Sequence, residues 1–188
     1  MPQIALAACA VYLFLAPSNW REWVGAGLVQ AFIIALYAEM YVFPLTIYVL
    51  KGVLQTDIPL AHTSGHLWAT LLGYGPFGAV FEMMLGSIVL VAGLLLIVKG
   101  RVQVYFHGDT LLTEGVYKIV RHPQYAGIFL VIFGLLFHWP TIPTLLLTPV
   151  IIGLYVRLAR REEADLIDRY GIQYEQYQEL VPMFVPGW

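Results

Sequence analysis

The segment Val120-Arg121-His122-Pro123-Gln124-Tyr125 sets a guanidinium, an imidazole and a phenol around a proline that opens an apolar run. Proline disfavours the helical region for the residue before it, so His122 is expected to be extended. Proline itself suits the first turn of a helix, where its missing N–H leaves nothing unpaired. Arg121 and His122 therefore stand at a helix mouth, beside free backbone N–H groups and the positive end of the helix dipole. Such a place suits a carboxylate or phosphate ligand, and equally a basic anchor touching lipid headgroups. Farther on comes Arg157-Leu158-Ala159-Arg160-Arg161-Glu162-Glu163-Ala164-Asp165. Arg157 and Arg161, Arg161 and Asp165, and Asp165 and Arg169 are each one helical turn apart. That spacing predicts a solvated, ion-paired face carrying Asp165 and Arg169. Glu162 and Glu163 lie nearest the membrane boundary and point about 100° apart on a helix. One of them can face inward and hold a cationic or hydroxyl-bearing ligand. In the tail, Gly171 reads as a helix stop. Tyr174 and Tyr177 then predict an amphipathic helix on the bilayer surface, with the end flanked by Pro182 and Pro186 packed as a plug.

The elements that must position these groups are helices in a membrane. The chain has 188 residues, 60% hydrophobic and only 12% charged, against about 25% charged in a typical soluble domain. Mean hydropathy is +0.75. A soluble domain of this size could not keep so much apolar side chain from water, and a disordered chain would carry far less of it. A net charge of −2 with no basic run excludes a nucleic-acid partner. The single cysteine, Cys9, allows neither an intrachain disulfide nor a cysteine metal cluster. Runs of roughly 17–25 apolar residues cross a bilayer. Candidate runs occur at residues 2–16, slightly short, at 24–50, which is long, and at 76–98, 123–139 and 143–159, with polar connections at 51–75 and 99–122 and a charged tail from 160 to 188. The first run lacks the positive n-region of a signal peptide. The fold class is thus all-α, a polytopic membrane helical bundle of about five transmembrane helices forming one domain. Five spans place nine Lys and Arg residues on one side and only Lys51 on the other. The positive-inside rule then puts the N-terminus outside and the C-terminal tail in the cytoplasm, and Trp20, Trp23, Trp68 and Trp139 fall near span ends.

Taken together, Gly115-Val116-Tyr117, Val120-Arg121-His122-Pro123-Gln124-Tyr125-Ala126-Gly127, Arg161-Glu162-Glu163 and the Tyr170-Gly171…Tyr174…Tyr177…Val181-Pro182…Phe184…Pro186 tail form an ordered set. This set resembles the signature of the isoprenylcysteine carboxyl methyltransferase and phospholipid methyltransferase family, over about residues 108–186. The resemblance implies an integral membrane methyltransferase dependent on S-adenosyl-L-methionine, with residues 99–188 as the cofactor half and residues 1–98 on the substrate side. It implies cofactor contacts from Tyr117, Arg121, His122, Pro123, Tyr125, Gly127, Glu162 and Glu163, with Arg121 ordering the binding loop or touching a cofactor oxygen. The acceptor would be a lipophilic or small molecule reached from the membrane: a carboxylate, thiol or amine. A carboxylate acceptor could be oriented bidentately by Arg157 or Arg160.

Other residues invite separate readings. Glu39 and Glu82 sit inside apolar spans, where an ionisable group is costly. With Pro44 breaking its helix, Glu39 could face the substrate and act in catalysis, or it could make a structural hydrogen bond between helices. His62 and His66 are four apart and could offer a metal two nitrogens, but two ligands alone read as interfacial polar residues, and no metal is expected. Gly25-Ala26-Gly27 reads as helix packing. Two other functions compete: an NADPH-dependent membrane reductase of the sterol reductase or steroid 5α-reductase type, and a non-catalytic membrane or transport subunit.

Overall fold

The computed structural model describes residues 20–53, 55, 66–106 and 110–187. All regular elements among them are helical: α1 (Trp20–Tyr41), α2 (Leu45–Gly52), α3 (Leu67–Leu71), α4 (Gly75–Phe106), a 3-10 turn (Gly115–Lys118), α5 (Pro123–His138), α6 (Ile142–Tyr170) and α7 (Ile172–Leu180). α1, α4 and α6 are long and apolar enough to cross a membrane, and α5 is a shorter apolar helix. This is the expected polytopic bundle. The first expected span and His62 lie outside the described residues.

The elements start and stop where local chemistry says they should. Pro123 occupies the first turn of α5. α6 opens on a capping box in which Thr141 and Thr144 satisfy each other's backbone and side-chain groups, and it runs unbroken out to Gly171, which ends it as expected. Two boundaries differ from the sequence reading. The expected 24–50 span is two helices, because Pro44 cannot continue α1 and α2 restarts at Leu45. α4 reaches Phe106, eight residues past its expected end, since Lys99 and Arg101 are tolerated where the helix leaves its apolar stretch.

Lipid offers no hydrophobic drive between helices, so small residues must bring backbones together. α4 and α5 do this through glycines repeating every seven residues. A Cβ on Gly93 would lie 2.6 Å from the Gly127 carbonyl oxygen, and one on Gly127 would lie 2.7 Å from the Gly93 oxygen. Gly86 and Gly134 face each other in the same way, and Gly100 abuts Pro123 and Gln124. Gly127, expected at the cofactor, is therefore a buried packing residue of this seam. In the Gly25-Ala26-Gly27 triplet only Gly25 is at a packing contact, against the Tyr155 ring of α6; Gly27 meets nothing.

Both intramembrane glutamates are hydrogen-bonded, Glu39 through both oxygens and Glu82 through Oε2 alone, its Oε1 being buried without a hydrogen-bond partner among the described residues. Glu39 accepts hydrogen bonds from the Thr46 N–H (3.0 Å) and hydroxyl (2.8 Å). Thr46 Oγ1 in turn accepts from the Ile142 N–H at 2.9 Å, so one chain of bonds ties α1, α2 and α6. Glu82 accepts from the Ala69 N–H of α3 at 3.0 Å. Neither short helix has a side-chain cap of its own, so each takes a carboxylate from a neighbouring span at its positive end. At the same end His66 Nδ1 contacts the His138 carbonyl (3.1 Å) and its ring lies edge-on to Trp139.

Two stability predictions follow from these contacts. Gly93→Leu should overpack the α4–α5 seam and cost about 3 kcal/mol, whereas Gly27→Leu, facing open space, should leave the melting temperature in detergent nearly unchanged. Equal shifts would remove the seam from its role. Glu39→Ala should lower stability by about 1–3 kcal/mol through the unpaired Thr46 groups, read as a fall in melting temperature by circular dichroism.

Candidate active site

The seam delivers the first turn of α5 against the outer end of α4 and the 3-10 turn. There Gln103 of α4 accepts the Val116 N–H (3.1 Å). Gly115 takes a left-handed φ of 61°, which favours glycine there, and a side chain would also displace the Gln103 amide that holds the turn. Tyr117 carries its hydroxyl 3.5 Å from the Gly100 carbonyl, and Gln124 Nε2 donates to it at 3.4 Å.

His122 stays out of the helical region before Pro123, at φ −120° and ψ 66°, without reaching the extended geometry expected, and the N–H groups of Arg121 and His122 donate to the carbonyls of Pro182 (2.9 Å) and Met183 (3.1 Å). The tail is thus laid across the helix mouth. The Arg121 guanidinium fixes it further. Nη1 donates to the carbonyls of Gln178 (3.1 Å) and Val181, while Nε donates to Glu163 Oε1 at 2.7 Å. The tail helix is accordingly packed rather than laid on a surface: Tyr174, Tyr177 and Val181 form a buried cluster, and Tyr177 donates to the Tyr117 carbonyl at 2.6 Å.

His122 joins both glutamates. Its Nε2 lies 3.2 Å from Glu163 Oε1 and its Nδ1 lies 3.4 Å from Glu162 Oε2. Glu162 also accepts the Tyr125 hydroxyl, and the His122 and Tyr125 rings stack at 5.7 Å. Phe184 of the tail closes over His122. Burial alone would push the His122 pKa down, but its bonds to Glu162 and Glu163 outweigh burial and hold it above the ordinary histidine value.

These groups border a cavity of about 340 Å³. Of the residues expected to hold a cofactor, Tyr117, Arg121, His122, Pro123, Tyr125 and Glu162 line it. Glu163 does not. It is buried behind the wall and holds Arg121 and His122. Arg157 and Arg160, expected to orient a carboxylate, are exposed on α6 and stand outside the cavity lining. Glu39 is seventeen residues along α1 from Glu22, which does line the cavity; at 1.5 Å per residue that is roughly 25 Å away. Arg169 is exposed, as expected of a solvated face, but it also reaches the cavity. It lines the cavity, its guanidinium 5.4 Å from the Tyr170 ring centre. The sequence reading did not single out Glu22, Arg101 and Thr110, which complete the wall; nothing in their local sequence marks them.

The fold and site together define an integral membrane helical protein with a polar cavity at one end of the bundle, walled in part by its C-terminal helix α7. The phospholipid methyltransferase family model matches residues 81–173, and this segment of the chain belongs to that family. The chain is 38% identical over 79 residues to a protein-S-isoprenylcysteine O-methyltransferase of Schizosaccharomyces pombe, covering 40% of this chain and 33% of the relative. It is 35% identical over 79 residues to a methanethiol S-methyltransferase of Crocosphaera subtropica, covering 39% and 28%. With a methanethiol S-methyltransferase of a Pseudomonas strain it shares 41% over 75 residues, covering 37% and 26%. The matches span a third or less of the length of these relatives. No solved structure matches. The reductase alternative finds no support in these matches.

The raised His122 pKa has a sign that can be checked. A group whose pKa is raised on folding stabilises fully below its unfolded value, about 6.5, and that contribution is lost as pH rises through the raised value. Thermal stability should therefore fall as pH increases above about 6.5, and His122→Asn should flatten the profile across the same window. A variant profile parallel to the wild type would show that His122 is not the group responsible.

Proposed function

We propose that this protein transfers a methyl group from S-adenosyl-L-methionine to a lipophilic or small membrane-accessible acceptor, at the cytoplasmic leaflet, with its N-terminus outside. The observation that carries the reading is the cavity built on His122, Tyr125 and Glu162 and walled in part by Tyr174 and Tyr177 of α7. The relatives' names support methyl transfer as the chemistry.

The residues present fit the cofactor. Its amino acid end carries both charges, and the wall offers Glu162 for an ammonium or ribose hydroxyl and Arg101 and Arg169 for a carboxylate. Tyr117, Tyr170 and Tyr174 supply aromatic surface for a purine. A volume of about 340 Å³ lies within the usual range of small-molecule sites, about 300–1,000 Å³. When bound, the cofactor supplies a methyl group activated by a sulfonium, which needs neither a metal nor a covalent enzyme intermediate.

The chain's own contribution is positioning and exclusion of water. Arg121 fixes the tail over the cavity. Glu163 fixes Arg121 and His122 from behind. His122 and Tyr125 hold Glu162 in one orientation at the wall. An apolar acceptor can enter from the lipid, while the polar cofactor enters from the water side.

Calorimetric titration of S-adenosylhomocysteine into detergent-purified protein tests this, with NADPH titrated into the same preparation. Binding of S-adenosylhomocysteine alone is expected, lost in a folded His122→Ala variant. Binding of NADPH alone would overturn the reading.

A further inference from the structure

The methyltransferase motifs lie in the second half of the chain, yet the cavity has a wall from the first. Glu22, in the first turn of α1, lines the same cavity as His122, Tyr125 and Glu162. Its place there follows from helix packing. Gly25 is one turn further on, and its missing side chain lets α1 close on Tyr155 of α6; a Cβ there would stand 2.9 Å from the Tyr155 hydroxyl oxygen. The same face of α1 therefore holds the Glu22 carboxylate over the cavity. Its charge bears on the hydroxyls of Tyr125 and Tyr155, whose rings are 5.0 Å apart.

The charges around the cavity are sorted along its axis. Tyr155 is seven residues before Glu162 on α6, about two turns deeper toward the apolar part of the helix. Arg169 is seven residues after Glu162, about two turns toward the polar end. Glu22 thus borders the apolar end, where a lipid-borne acceptor enters, and Arg169 the opposite end. Arg101 and Arg169 also line the cavity and are assigned above to the carboxylate of the cofactor; the other cationic groups are engaged or elsewhere. Arg121 is held by Glu163 and two tail carbonyls, and Arg157 and Arg160 are exposed outside the lining.

We propose that Glu22 sets the charge class of the methyl acceptor, admitting a neutral or cationic nucleophile of the thiol or amine type and rejecting a carboxylate. This rests on the methyltransferase reading above. A carboxylate brought to the apolar end would meet a like charge in a low-dielectric wall, at a cost that opposite or absent charge avoids.

The test uses three probes with one tail: hexylamine, hexanethiol and hexanoate, titrated calorimetrically into the detergent-solubilised full chain against detergent blanks. Wild-type protein should bind hexylamine at least about tenfold more tightly than hexanoate. Glu22→Gln should bring the two within about threefold and leave hexanethiol unchanged, while Glu22→Asp, which keeps the charge, should keep the preference. Hexanoate binding as tightly as hexylamine to the wild type would overturn the proposal, as would a Glu22→Gln ratio equal to the wild-type ratio. S-adenosylhomocysteine binding on the same preparations separates the two readings. If it is present while the probe ratio is unmoved, only the role of Glu22 falls. If it is absent from the wild type, the methyltransferase reading falls and takes this inference with it.

Discussion

The contact on which the rest of the molecule depends is the backbone approach of α4 to α5 at Gly93 and Gly127. Each glycine sits where a Cβ would strike the other's carbonyl oxygen. Between apolar helices in lipid, close packing of this kind replaces the hydrophobic effect as the source of association. The seven-residue spacing keeps the seam on one face of each helix over two turns at a time, and it ends at Gly100 against Pro123 and Gln124. The seam thus fixes the height of the α5 first turn against α4. That height decides where His122 stands, and whether Tyr117 can reach both Gly100 and Gln124.

On that base the site is assembled by charge. Arg121, His122, Glu162 and Glu163 lie together at the membrane edge, three of them largely buried. Burying ions is costly unless each finds partners of good geometry. Here each finds some: Glu163 takes Arg121 and His122, Glu162 takes His122 and Tyr125, and Nη1 of the guanidinium donates to the tail carbonyls of Gln178 and Val181. The tail cannot leave without taking two acceptors from Arg121, so the docking of the tail and the cavity wall at Arg121 are one cooperative unit.

Much of this was legible in the sequence, for identifiable reasons. Apolar length marked α4, α5 and α6, and proline chemistry marked a non-helical His122 and the start of α5. The motif residues did converge, because the chemistry that makes them recognisable also makes them partners. Gly127 was misplaced because a glycine inside a motif looks the same whether it admits a ligand or a neighbouring backbone; its seven-residue relation to Gly134, mirrored by Gly86, Gly93 and Gly100, was the signal that could have told them apart. Which of Glu162 and Glu163 faces the cavity was beyond periodicity, since it depends on the rotation of α6 set by the contacts of Arg121 and His122. Glu22 was invisible for a simpler reason. A single acid at a span end is the commonest of surface residues, and only the packing of Gly25 on Tyr155 turns it inward.

The two glutamates deepest in the apolar spans show why intramembrane charge alone is a poor guide to chemistry. Glu39 and Glu82 occupy the positions where an ionisable residue invites a catalytic reading. Both are instead used to cap α2 and α3, helices of eight and five residues with no cap of their own. A helix that short has as many unpaired N–H groups as internal bonds, and in lipid those groups find no water. A carboxylate lent by an adjacent long helix eases both difficulties: Glu39 is paired through both oxygens, Glu82 through Oε2 only. The bundle therefore divides its acids by end. At one end they hold backbone together, and at the other Glu162 and Glu22 border a cavity with polar walls while Glu163 braces it from behind. Position along the helix axis, relative to the seam that sets it, separates the acids that cap a helix from those that border the cavity.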